Sequence, residues 1–362
     1  MSDVSEEQKE LFSQIIIEVK QQVAEFEDKE LSRRTLGDFW FKRAEDGVKR
    51  LEDMDTFINF RRYNLLVFDL PYLPDNKVKR WIFNCFMTMH KYFPFINEYR
   101  AEFKSLYDAY NFIKVHNLED LLKDNPTSKT GNPYLFKKGE FRYTRRWIRH
   151  IYFLSLFKKH LEPQKDKIKT IMDIGSSWGT FPHIIKKNYP DTRFLLVDLP
   201  EQLALAHYYL KTEMPDCRIA TYKDIEKVDK ITPEFMDNYD FVLVPCFDHN
   251  KIAAGTVDLV TNFASLCEMS KEWFNMYVQS EAFKTSKFFF IWNSVIKEKN
   301  PGVFISLLDY PFADLETMYF NNSPLLWTHY RHRKIFNCIP SRVEMFYHEP
   351  FFEYIGKNPK VL

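Results

Sequence analysis

Glycine is scarce in this chain, at nine among 362 residues. A glycine pair close together therefore asks for a local reason, such as a sharp turn or a close backbone approach. Cysteine is sparse too: Cys85, Cys217, Cys246, Cys267 and Cys338 are odd in number, widely spaced and form no CxxC pair. That pattern excludes a disulfide framework and a zinc knuckle, and it fits reduced thiols. No charge of one sign prevails: the net charge is +1, which gives no global pull toward nucleic acid or an anionic membrane. No apolar run reaches bilayer-spanning length, so no transmembrane segment is expected. The opening MSDVSEEQKELF has neither the basic nor the apolar stretch of a secretory leader. The expected location is cytoplasmic. Internal repeats and low-complexity tracts are lacking as well.

What the chain does have is apolar and aromatic mass. Hydrophobic residues make up 45% and charged residues 28%, with 35 Phe and 20 Tyr, enough for a sizeable core. At roughly 100–200 residues per domain, the length suggests two domains or one with a large extension. Residues 1–165 read as a helical N-terminal region for substrate or oligomer contacts. Ser5 and Gln8 have capping-box spacing, and Leu11, Phe12, Ile15, Ile16, Val19, Val23 and Phe26 recur at helical intervals. Val78, Trp81, Ile82, Cys85, Phe86, Met89 and Tyr92 predict a second helix that Pro94 stops. Tyr99, Phe103, Leu106, Tyr107 and Tyr110 suggest a third. These stripes are read as core faces, the first also as a homodimer surface. Residues 124–140 are turn-rich and predict a loop.

From Thr170 the pattern changes. The runs TIMDIG, RFLLVD, YDFVLVP, TVDLVTN and KFFFIWN alternate with helical stretches such as Glu201–Lys211 and Ser270–Phe283, and CRIATY adds a candidate strand. This alternation predicts a Rossmann-like, doubly wound, mostly parallel α/β sheet over residues 166–362.

The segment TIMDIGSSWGTFPHII carries the chemistry. An apolar strand ends in Asp173, a turn with Gly175, Ser176, Ser177 and Gly179 follows, and helical periodicity resumes after Thr180. The dinucleotide pattern GxGxxG started at Gly175 needs glycine where the chain has Ser177 and Thr180. The phosphate-binding GxxxxGK[ST] fails as well. The pattern D-x-G-x-x-x-G resembles motif I of class I S-adenosylmethionine (SAM)-dependent methyltransferases, with Ser177 in place of the middle glycine. Asp198 ends the next strand, where a carboxylate suits a ribose diol, and Leu199 adjoins it. Asp198 also reads as a cap for the helix that starts near Pro200. Asp248, just past DFVLVP, and Asp224, after CRIATY, are candidates for the adenine amine.

The resemblance extends beyond motif I. VDLVTNFASLCEM, GNPYLFKKGEFRYTRRWIRHIYFL and FFFIWNS are similar to segments of the sugar O-methyltransferase family, over roughly residues 130–300. This implies a class I SAM-dependent fold and methyl transfer to a hydroxyl of a sugar, nucleotide-sugar or glycan precursor. Where phenolic O-methyltransferases place a histidine base after the fourth strand, this chain has Asn262, Ser265 and Glu268.

Those three residues are spaced i, i+3, i+6, nearly one face of a helical turn. Asn262 is read as a cofactor contact, Ser265 as an acceptor contact and Glu268 as the base, with His329 the second candidate. Arg142, Arg145, Arg146 and Arg149 fall on one helical face opposite Trp147, Ile148, Ile151 and Leu154. With Arg331 in HYRHRK, they suit an anionic acceptor. His329 and His332 lack a carboxylate or cysteine partner at matching spacing, so no metal is expected. Other readings are a methyltransferase for another small molecule or for nucleic acid, and a non-catalytic SAM-binding scaffold. No [DN]-P-P-[FY] motif occurs, Pro245-Cys246 stands alone, and a broad basic surface is not indicated, so nucleic acid is disfavoured. Only activity separates enzyme from scaffold.

Overall fold

The computed structural model describes residues 5–29, 38–63, 65–66, 109–300, 303–325, 328–335, 339–347 and 350–362. The helix expected over residues 78–92 and most of the one expected around 99–110 lie outside these residues. The chain forms two compact units: Met1–Ile58 with Leu156–Ser323 and Glu349–Leu362, and Asn59–Ser155 with Pro324–His348. The units thus interleave along the sequence, where composition suggests a division near residue 165. Among the described residues no helix is long and apolar enough to cross a membrane.

In chain order the strands are β1 (Phe136–Lys138), β2 (Phe141–Tyr143), β3 (Thr170–Ile174), β4 (Arg193–Asp198), β5 (Ile219–Ala220), β6 (Phe241–Pro245) and β7 (Leu259–Phe263). They continue as β8 (Phe288–Ser294), β9 (Ile296–Asn300), β10 (Val303–Ser306), β11 (Glu316–Asn322), β12 (Thr328–Ile335), β13 (Ile339–Tyr347) and β14 (Phe351–Lys357). The first unit holds an eight-stranded sheet in the order β11-β14-β8-β7-β3-β4-β6-β5. Strands β3 to β8 pair in parallel. β14 is antiparallel to both β8 and β11. Without the two-residue edge β5 and the inserted β14, chain order across the sheet runs 3-2-1-4-5-6, the doubly wound arrangement. The fold is Rossmann-like and mostly parallel. Its central strands are buried on both faces, β3, β6 and β8 along their whole length. Continuous apolar runs, and not alternating ones, are what such burial requires.

Local chemistry sets the helix ends. Ser5 and Gln8 form the expected capping box of helix Glu6–Glu27. Ile15, Val19 and Phe26 of that helix are buried. Phe26 packs its ring 5.2 Å from Phe247 and 5.7 Å from Trp273. Thr221 donates to Glu18 Oε1 at 3.2 Å, and the Tyr222 hydroxyl bonds Glu25. Within the apolar stripe read as a homodimer surface, Ile15, Val19 and Phe26 are thus covered by their own chain, and Leu11, Phe12, Ile16 and Val23 stay half-buried. The helix expected over Ser270–Phe283 is two, Lys271–Val278 and Glu281–Lys284. Ser280 breaks it by accepting from Phe283 N–H, so it caps a new helix.

In the second unit Arg61 is wholly buried, and its Nη1 donates to Ser128 O at 2.8 Å and Thr130 O at 3.2 Å. Gly131, at φ +78°, accepts both the Arg61 and Arg62 amides. Most of 124–140 is loop, as expected, with β1 near its end and the β1–β2 turn closing it. Helix Arg145–His160 follows β2.

Candidate active site

In a doubly wound sheet a crevice opens beyond the carboxyl ends of the strands where the winding reverses. Here that place lies between β3, whose chain proceeds to β4, and β7, whose chain proceeds to β8. β3 ends at Ile174 and the glycine turn begins. Gly175 sits at φ +73° and donates its N–H to Val197 O at 2.8 Å. A Cβ there would collide with the side chain of Ser265. Gly179, at φ +79°, caps helix Thr180–Asn188 and donates to Ser176 O at 3.0 Å. Both glycines thus serve the turn itself. Ser177 adopts φ +51°, the left-handed conformation that a middle glycine would take without strain.

Ser177 compensates through its bonds. Its N–H donates to Asp198 Oδ2 at 2.6 Å, and its Oγ donates to Gln202 Oε1 at 3.3 Å. Leu199 N–H donates to Asp198 Oδ1 at 2.7 Å. Two backbone amides therefore fix the half-buried Asp198 carboxylate at the end of β4. The cap of the following helix is Leu199, with Pro200 in the first turn and no side-chain capping bond, so Asp198 is not itself the cap.

Asp173 and Asn262 brace the sheet. Asp173 is buried and its Oδ1 accepts from Thr261 Oγ1 at 2.6 Å, tying β3 to β7. Asn262 is fully buried. Its Nδ2 donates to Ile174 O at 2.7 Å, and its Oδ1 accepts from Leu266 N–H at 3.1 Å and Asn293 Nδ2 at 2.8 Å. Asp248 is buried in the 3-10 helix Cys246–Lys251 beyond β6, with Lys251 Nζ 3.3 Å away. Asp224 accepts Thr221 N–H at 3.0 Å and closes a capping box.

Two expected arrangements need correction. Asn262, Ser265 and Glu268 do not share a helical face. Asn262 belongs to β7, where ladder pairing with β3 and β8 fixes it. Ala264 then reverses the chain at φ +63°, and only Leu266–Glu268 forms a 3-10 turn. Glu268 is half-buried in that turn. Likewise Arg142 does not extend the arginine face of the helix. It lies exposed on β2, because Thr144 starts the helix after it by accepting Trp147 N–H at 3.2 Å. Arg146 and Arg149 remain together, both half-buried and both just before buried His150 in sequence. Burial, and then the charges of Arg149 and Arg146, hold the His150 pKa well below its ordinary value. His329 and Arg331 lie on β12, at register positions opposite Phe346 and Glu344 of β13.

Asp198, Glu268 and the glycine turn thus belong to the first unit, and the arginines 142, 146, 149 and 331 with His329 to the second. Sequence reasoning did not single out Asn293 and Ser294. They end β8 fully buried, with Asn293 Oδ1 and Ser294 Oγ lacking partners among the described residues. The signal was the polar pair closing the apolar run FFFIWNS.

No family model matches the chain, and no curated protein matches it. Among solved structures, it is similar to magnesium protoporphyrin IX methyltransferase from Synechocystis PCC 6803, determined with bound SAM. The identity is 8% over 59% of this chain and 81% of that one, with a TM-score of 0.36. It is similar to TehB from Haemophilus influenzae at 10% identity over 56% and 62% of the two chains, TM-score 0.35. It is similar to TrmK from M. capricolum, in complex with S-adenosylhomocysteine, at 10% identity over 53% and 62%, TM-score 0.28. The chain spans less than two thirds of the latter two proteins.

Proposed function

We propose that this protein is a SAM-dependent O-methyltransferase acting on a hydroxyl of a sugar, nucleotide-sugar or glycan precursor. One observation carries the reading. The 2.6 Å bond from Ser177 N–H to Asp198 joins the glycine turn to the acidic strand end, 21 residues apart in sequence, at the reversal of the winding. A carboxylate accepts at about four lone-pair positions, so one held by two amides still suits a ribose diol. Gly175, Ser176, Gly179 and Leu199 flank it, and Asp248 is proposed toward the adenine. The buried Ser176 hydroxyl, without a partner among the described residues, fits such a nucleoside.

SAM, when bound, supplies an electrophilic methyl group. The protein's task is then chiefly to align the acceptor oxygen. A sugar hydroxyl is a weak acid, so a base aids the transfer. Glu268 takes that role in this reading, one short turn beyond Ser265, with His329 the second candidate. Arginine forks suit the phosphates of a nucleotide-linked sugar, the role proposed for Arg142, Arg146, Arg149 and Arg331. The sugar assignment rests on the sequence resemblance over residues 130–300.

Calorimetry tests the cofactor. SAM and S-adenosylhomocysteine should bind, and Asp198→Ala should weaken both by about a hundredfold, the worth of two bonds to a charged group. Saturable NAD binding without SAM binding overturns the reading. Mass spectrometry of products from SAM and a panel of sugars, nucleotide-sugars and glycans tests the acceptor. Glu268→Gln should lower kcat by about a hundredfold while SAM affinity is spared. A near-wild-type rate moves the base to His329 or removes it.

A further inference from the structure

The near-zero net charge of the chain conceals a strongly basic stretch in the second unit. Residues 129–149 hold seven lysines and arginines against one carboxylate, Glu140, which Lys123 Nζ already meets at 3.3 Å. The β1–β2 register sets Lys137 directly opposite Arg142, and both are exposed. Among the described residues neither has an ion-pair partner. The β12–β13 hairpin of the same unit repeats the arrangement, with Arg333 at the register position opposite Arg342. Like charges directly opposite across a sheet destabilise it, so fold stability alone does not favour such pairs. Lys114 and Lys138 converge as well, with their Nζ atoms 5.3 Å and 5.9 Å from the centroid of the one Tyr110 ring. A multiply charged anion, when bound, offsets repulsion of this kind.

The surroundings narrow the class of anion. A diphosphate meets one opposed pair. Lys129 on a loop, Lys137 and Arg142 on the hairpin and Lys114 on helical residues 109–115 suit a chain of anionic groups. Proteins that track single-stranded nucleic acid add aromatic rings on which bases stack. Among the described residues of this unit every aromatic ring is buried or half-buried, and Val115 is the one large apolar side chain left exposed, at 75%.

We propose that the β1–β2 face of the second unit binds a polyanionic glycan, one whose sugars carry carboxylate, sulfate or phosphate groups. This rests on the sugar reading above for the kind of polymer, and it makes the acceptor a charged chain. Calorimetry over a range of salt, with a heparin oligosaccharide, neutral dextran and duplex DNA as probes, tests it. Heparin should bind, dextran should not, and duplex DNA should bind more weakly than heparin. Lys137→Gln with Arg142→Gln should weaken heparin about thirtyfold at about 0.1 M salt and lower the salt slope by about 1.5, the counterions of two lost contacts. Lys227→Gln with Lys230→Gln removes as much exposed charge from the first unit and should leave heparin affinity unchanged. Lys137→Glu faces Arg142 with a carboxylate, so it should lose heparin binding while its thermal midpoint stays at or above that of the wild type. A lowered midpoint, no heparin binding by the wild type, or equal losses in the two double variants overturns the inference. Methyl transfer to a neutral sugar without heparin binding overturns it too and leaves the sugar reading standing. Tighter binding of duplex DNA than of heparin overturns both.

Discussion

The two ends of the central sheet differ in how they treat polar groups. At the amino end, carboxylates are saturated. Asp258 accepts Lys169 N–H at 2.8 Å, Thr170 N–H at 2.9 Å and Lys287 Nζ at 2.6 Å. Asp240 accepts Lys186 Nζ at 2.6 Å and Arg218 N–H at 2.9 Å. The hydroxyl of Thr192 is an exception there. At the carboxyl end, Ser176 Oγ, Asn293 Oδ1 and Ser294 Oγ are buried without partners among the described residues, and Ser177 and Ala264 hold left-handed backbone. Both ends clamp strands together, the carboxyl end through Asp173 and Asn262. That end also keeps unmet hydrogen-bonding capacity and local strain, which fold stability alone does not favour and ligand sites commonly carry.

The contrast can be broken by substitution. The largest effect is expected for Gly175→Ala, which combines a left-handed φ with a collision against Ser265. It should cost about 3 kcal/mol in urea denaturation. Adding Ser265→Gly should recover about half of that by removing the collision. No recovery would mean that backbone conformation is the whole cost. At the other end, Asp258→Asn should cost about 2 kcal/mol by weakening a buried charged network. Its affinity for S-adenosylhomocysteine should not change. A parallel loss of affinity would erase the distinction between the ends.

A smaller effect is expected in acid. Burial acts to raise the Asp240 pKa, but the bonds from Lys186 and the Arg218 amide outweigh it and hold it below its ordinary value. The folded state then binds this proton less readily than the unfolded chain does. The stabilisation is present above about pH 4 and is lost as pH falls through the folded pKa. Asp240→Asn should flatten the stability profile below about pH 4; an unchanged acid limb assigns that loss to other groups. The smallest effect is a gain. Ser177→Gly relieves left-handed strain and forfeits the bond to Gln202, so thermal stability should rise by up to about 1 kcal/mol. A fall would show that the bond outweighs the strain.

Much of the sheet was legible because parallel strands buried on both faces leave unbroken apolar runs, as in RFLLVD and FFFIWNS. The glycine turn was legible because Gly175 and Gly179 stand out in a glycine-poor chain. Other features were beyond one-dimensional spacing. The i, i+3, i+6 pattern of Asn262, Ser265 and Glu268 fits a helix, yet pairing with β3 and β8 keeps Asn262 in a strand. Arg142 has helical spacing to Arg145 and Arg149, and the Thr144 cap excludes it. The stripe of the first helix announced a buried face without naming its cover, which comes from helix Pro200–Glu213 and from residues around 221, 247 and 273.

The insertion of β14 bears on how the chain is made. β14 lies between β8 and β11, both synthesised before it. Two strand spacings separate those neighbours, roughly 10 Å, too far for them to pair with each other. Until residues 351–357 leave the ribosome, two seven-residue strand edges face one another across an open slot. Such edges invite the wrong partner. Assembly must therefore end with one strand sliding into a waiting groove, and nascent chains halted before residue 351 should stay protease-sensitive until that segment emerges.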